Sequence, residues 1–332
     1  MEKKIKIRKI IDDSFWDEFV SNSDHGTVFS SSAWLKAMAS AQGGEPAMLG
    51  VWEGDSLIAG VSFIEVIRGS LKKANTHILI PYGGFIYRNE PDQLQQDTSS
   101  LQLICAEKLI NYLEQKYNYV FLAHSPDFMD IRPFSWQNWS QAVRYTYLVD
   151  ITDPEKLWDR FRRRAQRKIL KAKDTLEIGG SVGAEKVTEL YEQVFNENEN
   201  SMPIPREKVI SMLNSLIKSG VVEVNSVIEN GKTISVQVLA FDKKTVYTWI
   251  AGTIPEKDYT GADSLLIWNA IKRYSSTHKV LDMVGANVPS IAFFKKGFGG
   301  TLTPYYVTER YSSTAAKTAF NTYSKIKGFF SR

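Results

Sequence analysis

The chain contains one cysteine and four histidines among its 332 residues. The single cysteine, Cys105, cannot form an internal disulfide bond, and no apolar run opens the chain. We therefore expect a protein of the reducing cytoplasm rather than an exported one. No apolar stretch approaches the roughly 18 residues that a membrane-spanning helix requires. The sequence thus argues against a disulfide-stapled domain and against a spanning helix.

Residues typical of metal and nucleotide sites are also scarce. The histidines are scattered and no cysteine cluster exists, so we predict no metal site. Neither the GxxxxGK[ST] pattern nor the GxGxxG pattern occurs, which leaves phosphate-loop nucleotide binding without support. The net charge of +4 is too small to name an acidic partner by itself, and we predict no DNA partner.

What the chain does contain is apolar surface and an internal repeat. Hydrophobic residues make up 43% of a length that suits about two average domains, enough for a sizeable core. Two stretches predict β-hairpins, one turning at Gly54-Asp55 and one at Asn230-Gly231. Each hairpin follows a helical segment and precedes a third strand, a helix and a short apolar strand. The two third strands are predicted at 77–84 and 246–252.

The repeated order predicts two mixed α/β units, each with a mostly antiparallel sheet flanked by helices. We place the first domain at residues 1–145 and the second, with the donor site, at 146–310. Residues 311–332 are predicted to form a closing helix. This basic amphipathic helix either packs on the first domain or contacts an anionic membrane surface at the inner face.

The most informative segment is Val280–Gly300, VLDMVGANVPSIAFFKKGFGG. It begins as a buried strand that delivers the carboxylate of Asp282. A Gly/Pro loop then leads to Lys295 and Lys296, which lie between phenylalanines. An apolar wall beside clustered cations suits a site that holds and polarises an acyl group.

Four segments in order resemble the Fem family of aminoacyl and acyl transferases, a tandem form of the GNAT acetyltransferase fold. They are GTVFSSSAWLKAM, RRRAQRKILKAK, TWIAGTIPEKDYTGADSLLIWNAI and LDMVGANVPSIAFFKKGFGG. The resemblance spans almost the whole chain. It implies group transfer to an amine or a similar nucleophile.

The resemblance also implies roles for particular residues. Asp282 and Gly285 match the Asp-x-x-Gly that ends the fifth strand beside the transfer site. Phe294 and Lys295 match a Phe-Lys pair near the donor carbonyl of Fem enzymes. Residues 257–263 stand where GNAT enzymes wrap the pyrophosphate of coenzyme A, although only Gly261 of the usual glycine signature is clear.

Chemical reasoning leaves alternatives open at these positions. Asp282 is a candidate base or ammonium-orienting group, or it is a structural cap of the following loop. Lys295 is a candidate oxyanion stabiliser, or it is a solvated lysine at a helix end. Tyr259 is a candidate proton donor to the leaving group, or it is a structural residue. Trp249 is predicted to form a wall of the cleft or core, and Lys296 to face solvent or a phosphate.

The run Arg160–Lys173 is the most basic segment, and it is predicted to continue a helix that opens at Asp153-Pro154. Helical spacing places Arg164 and Lys168 on one charged face. That face is either simply solvated or an anion clamp for tRNA, coenzyme A phosphates or a phospholipid-linked sugar.

Three functions remain from the sequence. The first is an N-acyltransferase that moves an acyl group from acyl-CoA to an amine of a sugar, peptide or cell-envelope intermediate by direct attack. The second is an aminoacyl-tRNA-dependent ligase of the Fem type. Met38 weighs against it, because Fem enzymes that act on UDP-linked precursors can carry a lysine at the corresponding position. The third is a non-catalytic module that binds an envelope intermediate or a partner.

Overall fold

The computed structural model describes residues 5–76, 78–89, 95–197, 200–256, 259 and 261–326. It divides the chain into two compact units, the first formed by Met1–Arg144 with Tyr305–Arg332 and the second by Tyr145–Pro304. Residues 305–310, which the sequence analysis assigned to the second domain, therefore belong to the first unit.

Six strands and four α-helices of the described residues precede the unit boundary. In chain order they are β1 (Ile5–Lys9), α1 (Asp13–Asn22), α2 (Ser32–Gln42), β2 (Glu45–Glu53), β3 (Ser56–Arg68), β4 (Leu71–Asn75), β5 (Phe85–Tyr87), α3 (Gln95–Lys116), β6 (Tyr119–Ala123) and α4 (Arg132–Trp136). The next strand, β7 (Ser140–Asp150), begins in the first unit and ends in the second.

The remaining elements belong to the second unit until the chain returns to the first. They are α5 (Pro154–Arg160), α6 (Arg163–Thr175), β8 (Glu177–Gly179), α7 (Ala184–Glu197), α8 (Arg206–Ser219), β9 (Val222–Glu229), β10 (Lys232–Phe241), β11 (Thr245–Thr253), α9 (Ala262–Tyr274), β12 (Val280–Asp282), α10 (Pro289–Lys295), β13 (Thr301–Tyr311) and α11 (Thr314–Ile326). The unit boundary at Tyr305 falls within β13.

The two units share one topology. Within the first unit the strand order is β1-β2-β3-β4-β6-β13, with β5 beside β3, and within the second it is β8-β9-β10-β11-β12-β7. Neighbouring strands are antiparallel except β4 with β6 and β11 with β12, which are parallel. The crossovers between the parallel strands contain α3 and α9. The predicted fold class is confirmed.

One neighbour of β6 and one neighbour of β12 come from distant parts of the chain. β7 follows the elements of the first unit but pairs with β12, through Asp150↔Val280 and Leu148↔Asp282. β13 follows the elements of the second unit but pairs with β6, through Val307↔Ala123 and Tyr311↔Tyr119. Each sheet is therefore completed by a strand that the order of elements would assign to the other.

Both predicted hairpins are present and turn where the sequence indicates. Gly54 has a φ of +61° between β2 and β3, and Asn230 and Gly231 have φ values of +49° and +78° between β9 and β10. Glycine and asparagine are the residues that adopt this left-handed region at least cost. The strand ends pair directly across the turns, Glu53 with Ser56 and Glu229 with Lys232.

The predicted third strand at 77–84 is wrong. His77 lies outside the described residues, and 78–84 form no strand. The position is taken by β4, which the sequence analysis overlooked because Lys72 and Lys73 hide its alternation. The segment instead approaches β6 closely, since Gly83 N–H donates to the Ala123 carbonyl at 2.6 Å. A Cβ at Gly84 would lie 2.2 Å from the His124 ring, so only glycine permits this approach.

The predicted continuous helix through the basic run is also wrong, because the chain breaks between α5 and α6. Phe161 is extended there, with φ −65° and ψ 144°, and its side chain is 4% exposed. Its ring contacts those of Trp268 and Phe298 at 5.6 and 5.3 Å. Arg162 N–H donates to the Gly297 carbonyl at 2.9 Å. Burial of Phe161 outweighs the helix propensity of the surrounding arginines.

The closing helix α11 begins at Thr314, as predicted, and is described to Ile326. The ring of Phe320 lies 5.3 Å from that of Tyr119 and 6.4 Å from that of Tyr311, all within the first unit. Lys327 and Arg332, two cations of the predicted basic helix, lie outside the described residues. No helix in the described parts of the chain is both long enough and apolar enough to span a membrane.

Candidate active site in the second unit

The two parallel strands of the second unit pair over only three residues. Thr245, Val246 and Tyr247 of β11 align with Val280, Leu281 and Asp282 of β12. β12 ends at Asp282, whereas β11 continues to Thr253. Parallel strands that part at their carboxyl ends open a crevice in the sheet, and ligands commonly bind there.

A β-bulge in β11 accompanies the parting of the strands. Val238 pairs with Ile250 and Leu239 pairs with Thr248, so Trp249 is an extra residue opposite β10. A bulge increases the local twist and redirects a side chain, and bulges are frequent beside active sites. Trp249 is partly buried, as a residue in the wall of a cleft would be.

On the other side of the parting, the chain after β12 stays bonded to β7. Met283 N–H donates to the Tyr147 carbonyl at 3.0 Å, and Ala286 N–H donates to the Tyr145 carbonyl at 2.6 Å. Tyr145 N–H in turn donates to Asn287 Oδ1 at 2.9 Å. The loop that carries Gly285 is thus fixed to β7 while β11 diverges.

Asp282 lies at the point where the strands part. The residue is 1% exposed, and its Oδ1 accepts from Thr146 Oγ1 at 2.5 Å and from Val284 N–H at 2.7 Å. A buried carboxylate requires such donors. The bond to Val284 is the cap of the following loop that the sequence allows, and the residue lies at the strand end where the transfer site is predicted.

Tyr247 is the neighbour of Asp282 in β11, and its hydroxyl donates to Asp242 Oδ2 at 2.6 Å. Burial, followed by the negative charges of Asp242 and Asp282, raises the pKa of Tyr247 well above its ordinary value. The phenol therefore stays protonated over the physiological pH range. Asp282 and the phenol of Tyr247 are thus neighbours at the carboxyl end of β12, whereas Asp242 accepts from Thr245 N–H at the other end of the parallel pair.

Lys295 joins helix α10 to the loop after β12. Its Nζ donates to the carbonyls of Val284 and Gly285, each at 2.7 Å. Burial lowers the pKa of Lys295 to about 8, and the charge of Asp282 acts in the opposite sense. An ammonium has three hydrogens, so these two bonds leave one for a third acceptor. Lys295 is therefore neither a simply solvated lysine nor committed wholly to the loop.

The loop that Lys295 holds has a strained backbone. Val284 has a φ of +44° and Gly285 a φ of +79°. Glycine adopts this region readily, but a β-branched residue there is an outlier that its surroundings must enforce. The enforcing contacts are Asp282 on the Val284 amide and Lys295 on the two carbonyls.

The other predicted residues of this segment separate into core and surface. The ring of Phe294 lies 5.2 Å from that of Phe298, which is fully buried, and packs against the core of the unit. Lys296 is exposed, as predicted. Tyr259 is 8% exposed and belongs to the same core cluster.

Groups of the protein itself take up part of the amino end of α9, where the coenzyme A pyrophosphate is predicted to bind. Gly261 has a φ of +110°, and a Cβ there would lie 2.6 Å from the Lys168 carbonyl. Asp263 lies in the first turn, and its Oδ1 accepts from Ser264 N–H at 2.6 Å. Lys257, Asp258 and Thr260, also part of the predicted pyrophosphate segment, lie outside the described residues.

Helix α6 carries a strongly cationic outer face. Arg164 is exposed and Lys168 is partly buried, while Ala165 and Ile169 face the core. At its amino end, the guanidinium of Arg162 lies 5.4 Å from the centre of the Phe293 ring. The predicted division into a charged and an apolar face is present.

Comparison with known proteins identifies the architecture. Residues 143–296 match the family described as acetyltransferase (GNAT) domain. The structure resembles that of FemX with a TM-score of 0.68 at 11% identity, covering 91% of this chain and 96% of that one. Residues 143–296 thus match a GNAT domain, and the chain has a Fem-like fold. No curated protein matches its sequence.

Two further structures share this Fem-like fold. One is a conserved protein of unknown function from Bacteroides thetaiotaomicron VPI-5482, with a TM-score of 0.59 at 10% identity over 92% of this chain and 100% of that one. The other is the C-terminal domain of a putative lysylphosphatidylglycerol synthetase from Agrobacterium fabrum, with a TM-score of 0.55 at 11% identity over 94% and 97%.

In the first unit, the corresponding parallel strands β4 and β6 do not part in this way. Thr76 N–H donates to the Phe121 carbonyl at 3.0 Å, and Ala123 N–H donates to Thr76 Oγ1 at 2.9 Å. Gly83 adds its bond to Ala123. The segment after β4 therefore continues the ladder with β6, and among the described residues the open arrangement belongs to the GNAT domain of the second unit.

Sequence reasoning missed three residues of the candidate site and its surroundings. Thr146 lies in β7, far from Asp282 along the chain, and Asp242, which accepts from the Tyr247 hydroxyl, follows β10 in an ordinary-looking turn. Val284 is only a spacer in the Asp-x-x-Gly pattern. The alternation of Thr146 between Tyr145 and Tyr147 indicates a strand, but no local pattern shows that β7 pairs with β12. Within the described ranges, no group of three or more His, Cys, Asp or Glu could hold a metal ion.

Proposed function

We propose that this protein is an N-acyltransferase that moves an acyl group from acyl-CoA to an amino group of a sugar, peptide or cell-envelope intermediate. The observation that carries the proposal is the buried carboxylate of Asp282 at the point where β11 and β12 part. The GNAT domain match over residues 143–296 supports acyl transfer in general. The identity of donor and acceptor is part of the proposal.

The reaction requires a neutral amine and a stabilised oxyanion. A lysine-type amine with pKa near 10.4 is neutral in about one molecule in 2,500 at pH 7, which costs roughly 4.6 kcal/mol. The amine nitrogen attacks the thioester carbonyl carbon, the C–S bond breaks, and the thiolate leaves and takes a proton. The proton lost by nitrogen passes to Asp282 or to water that Asp282 orients.

Lys295 and the loop complete this scheme. The third hydrogen of the Lys295 ammonium is available to the carbonyl oxygen as negative charge develops on it. Removing one good donor of this kind typically costs about 3 kcal/mol of transition-state stabilisation. By holding the Val284 and Gly285 carbonyls, Lys295 also keeps the loop in place.

Direct attack is favoured over a covalent cysteine intermediate. Cys105, the one cysteine of the chain, is 1% exposed and lies on α3 of the first unit. Burial, with a smaller effect of Glu53, raises the pKa of its thiol to about 12. A thiol with that pKa supplies almost no nucleophilic thiolate at neutral pH.

Substitution of Asp282 tests the proposal. Asp282→Asn keeps the shape and retains an oxygen for Thr146 and Val284 but removes the negative charge. With acetyl-CoA and a panel of amines, we expect kcat/KM to fall by about 10²- to 10⁴-fold, the usual contribution of a general base. Mass spectrometry of the acylated amine measures the product. Asp159→Asn, at an exposed carboxylate on α5, is the matched control and should not change the rate.

Two results would overturn this function. The first is absence of acylated product from every acyl-CoA tested with the wild-type protein. The second is an Asp282→Asn variant that has the wild-type circular dichroism spectrum and also the wild-type rate.

An aminoacyl-tRNA donor is the second candidate, favoured by one observation. The Asp263 carboxylate already accepts the Ser264 amide at the amino end of α9, where it would compete with and repel a pyrophosphate. The cationic face of α6 suits a nucleic-acid backbone instead. If α6 binds about five phosphates of a single-stranded tRNA end, log K should fall with log salt at a slope near −3.5. A flat response would remove tRNA.

A further inference from the structure

The first unit contains a cavity with the composition of a cation site. Its volume is about 140 Å³, several times what one water molecule needs. The lining combines aromatic rings, two carboxylates and short apolar side chains, with no lysine or arginine. It consists of His25, Tyr87, Gln102, Leu103, Asp127, Phe128, Met129, Asp130 and Pro133. The acyl-transfer chemistry proposed for the second unit does not use it.

Three rings form the inner part of the cavity. Tyr87 and Phe128 are nearly parallel, with centroids 5.9 Å apart and planes at 18°. His25 stands across both, at 88° to Tyr87 and 71° to Phe128, with centroids 5.3 and 5.9 Å away. Phe128 is 2% exposed and Tyr87 is 5% exposed, so the rings are fixed in the core. The stacked His124 ring, 4.4 Å away, covers one face of Phe128. Aromatic faces that remain open to the cavity attract organic cations.

Negative charge lies at the mouth. Asp127 and Met129 are exposed, and Asp130 is partly exposed. Asp130 accepts a bidentate bond from Arg132, with Nε at 2.9 Å and Nη2 at 2.8 Å, and this pair lowers the pKa of its carboxyl. Arg132 is held by Asp130 and by the Trp136 ring, which lies 5.7 Å away, and it does not line the cavity. The charges of Asp127, Asp130 and Arg132 sum to −1, in a chain whose net charge is +4.

The Tyr87 hydroxyl supplies a polar atom deeper inside. Among the described residues it has no hydrogen-bond partner. Burial, followed by the charges of Cys105 and Asp130, raises the pKa of Tyr87 well above its ordinary value. The hydroxyl therefore stays neutral and can accept a hydrogen from an ammonium.

We propose that this cavity binds a small organic cation, an alkylammonium group held between the rings and the carboxylates of Asp127 and Asp130. Ring faces hold the alkyl substituents and the positive charge. The carboxylates at the mouth attract the cation and exclude anions. A neutral group of the same shape would gain the apolar contact but neither electrostatic term.

Titration of the full chain with matched small molecules tests this site. Choline carries a quaternary ammonium, ethanolamine a primary one, and 3,3-dimethylbutan-1-ol is the neutral analogue of choline. We expect choline or ethanolamine to bind, by titration calorimetry and by saturation-transfer NMR, and the neutral analogue to bind at least fivefold more weakly. Choline alone would indicate a quaternary ligand, and ethanolamine alone a primary one. Equal binding of the neutral analogue, or no binding by either cation, would overturn the proposal.

Two variants place the binding in this cavity. Asp127→Asn changes an exposed side chain and should weaken cation binding about fivefold, which corresponds to about 1 kcal/mol of binding free energy. Tyr87→Phe keeps the ring and should weaken ethanolamine more than choline, because only the primary ammonium donates to the hydroxyl. Asp159→Asn in the second unit should change neither. Unchanged binding in Asp127→Asn would assign the cation to another site.

Discussion

At the scale of single residues, the site is a chain of three interactions. The carboxylate of Asp282 accepts from the Val284 amide, and the Val284 carbonyl accepts from Lys295. Burial lowers the pKa of Lys295, and the charge of Asp282 opposes that shift. The carboxylate and the ammonium are thus coupled through one strained residue. Removing either charge should disturb the other through the loop as well as through space.

The pKa of Lys295 predicts a pH dependence of stability. The ordinary value is 10.5 and the folded value is about 8. Between these values the unfolded chain binds more protons, so the contribution of Lys295 to stability rises with pH from 8 to 10.5 and is constant below 8. Relative to Lys295→Met, the wild type should gain up to about 3 kcal/mol across that window. Urea unfolding at pH 7, 9 and 10 measures the difference.

The matched control for this titration is Lys296→Met, at the exposed neighbour. Its difference from the wild type should stay nearly constant with pH. If the Lys295→Met difference is equally flat, the pKa of Lys295 is not lowered in the folded protein.

At the scale of elements, two departures from regular structure determine the site. The bulge at Trp249 accompanies the divergence of β11 from β12, and the break at Phe161 separates α5 from α6. The break directs Phe161 into the core and brings Arg162 to the Gly297 carbonyl. Both irregularities lie in segments whose local sequence favours unbroken elements, so tertiary packing imposes them.

The break between α5 and α6 makes Phe161 a core residue despite its basic surroundings. Phe161→Ala should destabilise the second unit by about 3–5 kcal/mol, the usual cost of emptying a buried phenylalanine site. Phe293→Ala is the matched control, because Phe293 is 59% exposed. That change should stay within about 1 kcal/mol, which includes loss of the contact with Arg162. Equal effects of the two substitutions in urea unfolding would contradict the burial of Phe161.

At the scale of the whole molecule, the exchanged strands are the main feature. The first unit is incomplete until β13 has been made, because residues 305–311 supply the neighbour of β6. Thr308 also contacts the buried ring of His124, whose Nε2 lies 3.0 Å from Thr308 Oγ1. Arg310 forms an ion pair with Glu114 on α3. Pairing of residues this distant along the chain is slow to form and costly to lose.

Truncation tests the need for β13. A chain ending at Pro304 should leave the edge of β6 unpaired and the first unit unfolded. Hydrogen exchange should then show loss of protection in Tyr119–Ala123. A chain ending at Ser313 keeps β13 and removes only α11, so protection of β6 should remain. Full protection of β6 in the shorter chain would mean that the first unit folds without its last strand.

The sequence by itself determined the hairpins, the repeated order and the Asp282–Lys295 segment. These features depend on local signals: Asn230-Gly231 requires a turn, an apolar alternation requires a half-buried strand, and a carboxylate at a strand end is visible from its neighbours. Local chemistry is sufficient wherever the nearest contacts lie a few residues away along the chain.

Only the tertiary structure decided which strands complete each sheet, where β11 and β12 part, and what holds Asp282. Thr146 and Asp282 are 136 residues apart, and no pattern in either segment specifies the other. The same applies to Lys295, whose burial and lowered pKa follow from the folded loop rather than from the residues beside it. Pairings at this distance depend on the packing free energy of the entire unit, which no single segment encodes.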